Sequence, residues 1–63
     1  MAKAIPTVLL MWLASNEHEQ DAVVHIETVA MSPKVGETIW SETLDRFGVI
    51  EAILPNMTKV RVQ

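Results

Sequence analysis

Two turn-bounded apolar runs dominate the second half of this chain. They are Pro33-Lys34-Val35-Gly36-Glu37-Thr38-Ile39-Trp40 and, after one short connection, Phe47-Gly48-Val49-Ile50-Glu51-Ala52-Ile53-Leu54. Val60-Arg61-Val62 then alternates apolar and charged residues at the end. Short runs rich in β-branched and aromatic residues, punctuated by Gly, Pro and Asn, read as a series of strands joined by tight turns. The pattern predicts an all-β fold: a small five-stranded, partly open SH3-like barrel, with at most one short helical turn near 41–45. Sixty-three residues allow a single domain, 1–63, since a β-sandwich usually needs about 100.

Size also limits stability. A chain of this length buries only about 60% of its unfolded surface, and one such core supplies on the order of 3–5 kcal/mol. The sequence has no cysteine, so neither a disulfide nor a thiolate metal site can reinforce the fold. Yet 49% of its residues are hydrophobic. That excess over what a small core can hold points to self-association or a bound partner, most simply a homo-oligomer.

Along the chain, Ile5 to Ala14 is the longest apolar run. It falls short of the roughly 20 residues a transmembrane helix needs. As a secretory leader it lacks a suitable cleavage site, because Trp12 and Leu13 stand where small residues are wanted. It reads as a strand buried on both faces at its centre, and the chain as a cytoplasmic protein without a membrane segment. Trp12 is expected in the core. Ser15 to Gln20 is a polar loop. Beyond it, Ala22, Val24, Ile26, Thr28 and Ala30 alternate with Val23, His25, Glu27 and Val29, which places the first set inward and the second outward.

Ser32-Pro33-Lys34 breaks this strand. Gly36 then suits a positive φ or a close backbone approach, and Gly48, within a strand, suggests a bulge or sharp bend. Ser41 can cap a helical turn. Pro55-Asn56 turns the last hairpin, across which Glu51 can meet Lys59 or Arg61.

The segments Pro33 to Trp40, Phe47 to Leu54 and Val60 to Val62 resemble small bacterial and phage SH3-like barrels. In these a proline-x-valine-glycine-acid stretch leads into a strand, an aromatic opens the next, and a valine-rich hairpin closes the barrel. The resemblance covers the C-terminal half. It implies an interaction module or accessory factor and carries over no catalytic residue.

Chemistry-bearing clusters are sparse. His18 and His25, flanked by Glu17, Glu19 and Glu27, form the one conceivable metal set, but a loop and a strand give no assurance that they converge, and no metal or other cofactor is expected. Glu37, Glu42 and Asp45 lie near each other in sequence, in loops too wet to raise a carboxyl pKa for acid catalysis. Ser15, Ser32 and Ser41 lack the strand-to-helix elbow of a nucleophile. An enzyme is not expected.

Binding is the better reading. Trp40 and Phe47 are candidate anchors, because large aromatics dominate interface energetics. Net charge is −3, and Glu17, Glu19 and Asp21 crowd one loop, which would favour a basic protein partner. The alternative is a nucleic-acid-binding barrel using Lys34, Arg46, Lys59 and Arg61 with Trp40 or Phe47 as a stacking platform; the acidic balance weighs against it. A structural subunit of a larger assembly is a third possibility.

Overall fold

The computed structural model describes residues 4–16, 18, 19 and 21–63. It is all-β. Five strands, β1 (Thr7–Leu13), β2 (Val23–Ala30), β3 (Thr38–Ser41), β4 (Arg46–Ile53) and β5 (Thr58–Val62), form one sheet in the order β2-β1-β5-β4-β3. The sheet is curled into a half-barrel of SH3-like size. No helix forms among the described residues.

The N-terminal apolar run becomes an interior strand, bonded on both sides and lying between the β2 edge and the central β5. It pairs antiparallel with β2, from Thr7 opposite Ala30 to Leu13 opposite Val23, and parallel with β5, from Leu10 opposite Thr58 to Leu13 opposite Arg61. Pro6, which could not donate to either ladder, stands just before the strand, where its carbonyl accepts Met31 N at 2.9 Å. β2 and β3 occupy opposite edges, so residues 31–37 must carry the chain across the whole sheet. In a flat sheet those edges would lie about 19 Å apart, four strand spacings. A turn in the link, closed by Glu37 N to Lys34 O at 3.1 Å, uses up part of its reach. A short link between distant edges favours a curled sheet over a flat one.

Curling gives the sheet an inner and an outer face. Alternation along the registered strands puts Leu10, Trp12, Ile50 and Val60 inside, where they form the core; Trp12 and Val60 are completely buried. Val8, Val29, Met31, Ile39, Leu44 and Val62 pack around them.

The two glycines serve different ends. Gly36 has φ of 91° and open space where a side chain would be, so its role is conformational. Gly36→Ala should cost about 1 kcal/mol, read as a lower urea midpoint with an unchanged slope. Gly48 was expected to mark a bulge or a sharp bend, and the bulge needs correction. The irregularity in β4 lies further on, between Ile50 and Ala52. Gly48 is instead the floor under Trp12: a methyl group there would run into the indole ring and come within 2.6 Å of Val60 Cγ1.

The segment 42–45, where at most one short helical turn was expected, is a turn joining β3 to β4 without a helix. The capping bond forms nonetheless, buried Ser41 Oγ accepting Leu44 N at 3.1 Å, and Asp45 closes the turn in the left-handed region at φ 56°, which a short polar residue tolerates. The larger correction concerns β2, which faces the opposite way from the sequence reading. His25, Glu27 and Val29 lie on the inner face opposite Trp12, Leu10 and Val8, while Ile26 and Thr28 lie on the outer face opposite Met11 and Leu9. Ile26 is 53% exposed, and Val24, the extra residue at the irregularity between Trp12 and Leu13, is 49% exposed. The inverted facing meets a need of Trp12. Its buried indole N–H needs an acceptor, an unmet one costing about 1–3 kcal/mol, and Glu27 Oε1 receives it at 3.2 Å.

Candidate protein-binding surface

Trp40 and Phe47 sit directly opposite each other on β3 and β4. Alternation places them on the outer face, since their neighbours Ile39 and Gly48 face the core. Their rings meet edge to face, centroids 4.8 Å apart and planes at 65°, which suits the positive edge and negative face of aromatic rings. Trp40 is 46% and Phe47 54% exposed. The two tryptophans therefore occupy opposite environments, and acrylamide quenching of emission is expected to resolve one accessible and one shielded component. Trp40→Phe should remove the accessible one.

Register shows what lies near the pair. Leu13 is opposite Arg61, Arg61 opposite Val49, and Gln63 N donates to Phe47 O at 2.9 Å, so the aromatic pair lies toward the same end of the sheet as the loop after β1. In that loop Glu19 and Asp21 are exposed, and Glu17 lies outside the described residues. Asn16 shapes the loop, its side-chain Oδ1 accepting His18 N at 2.8 Å and its carbonyl accepting Glu19 N at 3.0 Å. The topology thus brings acidic side chains and exposed aromatics to one end of the molecule.

The cationic set is dispersed. Arg61 binds Glu51 in a fork, Nε to Oε2 at 2.7 Å and Nη2 to Oε1 at 2.9 Å, while Nη1 donates to Ala14 O at 2.7 Å. Arg46 follows the alternation of β4 to the face opposite Phe47, Lys34 sits in the link between β2 and β3, and Lys59 lies in the outer-face row of Met11 and Ala52.

The Glu51 fork, anticipated from the hairpin, has a pH signature. The Arg61 hydrogen bond and, to a smaller extent, the charges of Arg61 and Lys59 lower the Glu51 pKa against the opposing effect of desolvation. A carboxyl lowered on folding stabilises the fold above its unfolded pKa, and that contribution disappears as pH falls through the folded value. Because the pair is solvent-exposed it is worth about 0.2–1 kcal/mol. Glu51→Gln should lower the urea midpoint slightly at neutral pH and match the wild type once Glu51 is protonated.

Elsewhere the geometry offers little for chemistry. Glu37 precedes β3 while Glu42 and Asp45 follow it, so the strand separates them. No group of three or more His, Asp or Glu among the described residues is placed to hold a metal ion. A cleft of about 400 Å³ opens at the other end of the sheet, between the start of β1, Pro33 and the turn from Ile53 to Thr58. Its polar lining consists of Thr7, Ser32, Asn56 and Thr58, with no ionisable side chain.

The sequence named Trp40 and Phe47 as candidate anchors and placed Val24 and Ile26 inward, whereas all four are exposed. The missed signal was Glu27, a carboxylate in mid-strand close to a buried indole that needs a partner. No helix among the described residues is long and apolar enough to cross a membrane. No family model, curated protein or solved structure matches this chain.

Proposed function

We propose that the protein is a non-catalytic protein-interaction module, a small accessory or regulatory factor of the SH3-like kind, that self-associates and takes a basic protein partner. The observation that carries this reading is the Trp40–Phe47 pair, two large aromatics half-exposed in mutual contact at one edge of the outer face. Exposed aromatic clusters of this kind are the usual anchors of protein interfaces. Glu19 and Asp21 at the same end would speed the approach of a positively charged partner. Arg61 is committed to Glu51, and Arg46 faces away from the aromatics, which favours a protein ligand over a nucleic acid.

Titration with a short peptide of arginine and leucine, followed by tryptophan emission, tests the partner. Binding should shield the accessible tryptophan from acrylamide, weaken with salt, and fall tenfold or more in Trp40→Ala. A flat titration would remove the basic partner. Sedimentation velocity from low to high micromolar tests self-association: the sedimentation coefficient should rise with concentration, and a constant monomer value would refute that part.

A further inference from the structure

Resting on that reading of self-association, we infer that a second copy of this chain pairs with the open edge of β2, antiparallel and centred on Ile26. The two half-barrels would join into one continuous ten-stranded sheet, two copies of the five-stranded one.

β2 is the longer of the two edge strands, eight residues against four in β3, with β1 bonded to one side only. It carries neither proline nor lysine, two common devices that discourage edge pairing. Val23, Val24 and Ile26 are between 45% and 53% exposed along it. Such a strand is a template for another, and antiparallel pairing of identical strands about a two-fold axis closes as a dimer.

The side chains select the register. Residues facing each other across an antiparallel ladder project from the same face, so inner-facing residues must meet inner-facing residues. Centring on Glu27 would set two carboxylates face to face, and centring on His25 would do the same with two imidazoles. Centring on Ile26 sets each His25 opposite the other copy's Glu27 on the inner face, brings the two Ile26 side chains together on the outer face, and places each Val24 opposite Thr28. Around Ile26 the strand is close to a palindrome of β-branched residues, broken only by the His25–Glu27 pair of complementary character.

Each copy also has a group that such a neighbour would satisfy. His25 Nε2 is buried without a hydrogen-bond partner, its approach to Glu27 Oε2 being 3.5 Å. Glu27 spends Oε1 on the Trp12 indole. Because Nε2 is closed off in the single copy, the imidazole must turn toward the strand edge, where a Glu27 carboxylate of the facing strand gives it an acceptor. The irregularity at Val24 limits the ladder to the stretch from Val24 to Thr28.

The absence of cysteine from the sequence makes a direct test available. Across a two-fold axis at Ile26, the two Cα atoms would be about 4.5–5.5 Å apart, within disulfide reach, whereas the two Thr28 positions would be separated by roughly 13 Å along the strands. Ile26→Cys should cross-link rapidly to a covalent dimer under mild oxidation, and Thr28→Cys should not. Ile26→Lys, a change at an exposed outer-face position, should leave the far-UV circular dichroism intact and shift the sedimenting species to monomer. Equal cross-linking of both cysteine variants, or an Ile26→Lys protein that still dimerises, would overturn the pairing while leaving self-association standing. A wild type that remains monomeric at high micromolar would overturn both.

Discussion

Trp12→Ala is expected to leave little folded protein at room temperature. The indole is fully buried at the centre of the inner face, against Leu10, Ile50 and Val60. Removing a buried tryptophan costs about 3–5 kcal/mol in lost transfer energy and residual cavity. That equals the whole stability a core of this size commonly supplies, about 3–5 kcal/mol. The substitution also leaves Glu27 Oε1 without its indole donor. Far-UV circular dichroism should lose its β signal, or the urea midpoint should move close to zero. A Trp12→Ala protein that unfolds near the wild-type midpoint would mean that the fold is held together elsewhere.

Gly48→Ala tests the other side of the same contact, and here one methyl group is the entire perturbation. The backbone at Gly48 is not in the positive-φ region, so alanine carries no conformational penalty. The added Cβ nonetheless meets the Trp12 ring and lies 2.6 Å from Val60 Cγ1, both on rigid, fully buried side chains. Overpacking of this kind costs about 1–3 kcal/mol, a fall in Tm of roughly 10–20 °C for so small a domain. The two sites should couple. In a Trp12→Leu background, where the aromatic ring is absent, Gly48→Ala should cost much less or even recover some stability. A double-mutant cycle measures that difference, and strict additivity would show that the steric argument is wrong.

These two positions also show how the sequence and the fold divide the information. The five strands were legible because each is a short apolar run ended by residues with a defined local effect, such as Pro33, Gly36 and Pro55. Trp12 could be assigned to the core from its place in the longest apolar run. The Glu51–Arg61 fork could be anticipated because a tight turn at Pro55-Asn56 brings its strands face to face. Trp40 and Phe47 could be named as surface candidates because polar loops adjoin their strand ends, although nothing local brings them into contact across β3 and β4.

Local pattern failed where the answer depended on a strand far away in sequence. Gly48 looked like a bulge or a bend because a missing side chain in a strand has those meanings by itself; that the ladder runs regularly past it and its Cβ space belongs to the indole of Trp12 depends on β5 being laid between β1 and β4. β2 looked inside-out for the same reason. Hydrophobicity ranks Val24, Ile26 and Ala30 above His25 and Glu27, but polarity alone does not decide which side of a strand faces the core.

By itself, then, the sequence determined the number of strands, their turns and the residues large enough to make a core, because these follow from backbone preference and alternation over a few residues. Only the tertiary structure decided that β1 is an interior strand between β2 and β5, that β2 presents its acid and imidazole inward, and that Val24 and Ile26 are left outside. One physical contribution is the buried indole of Trp12: its N–H finds an acceptor in the inward Glu27, which offsets part of the cost of leaving aliphatic groups outside.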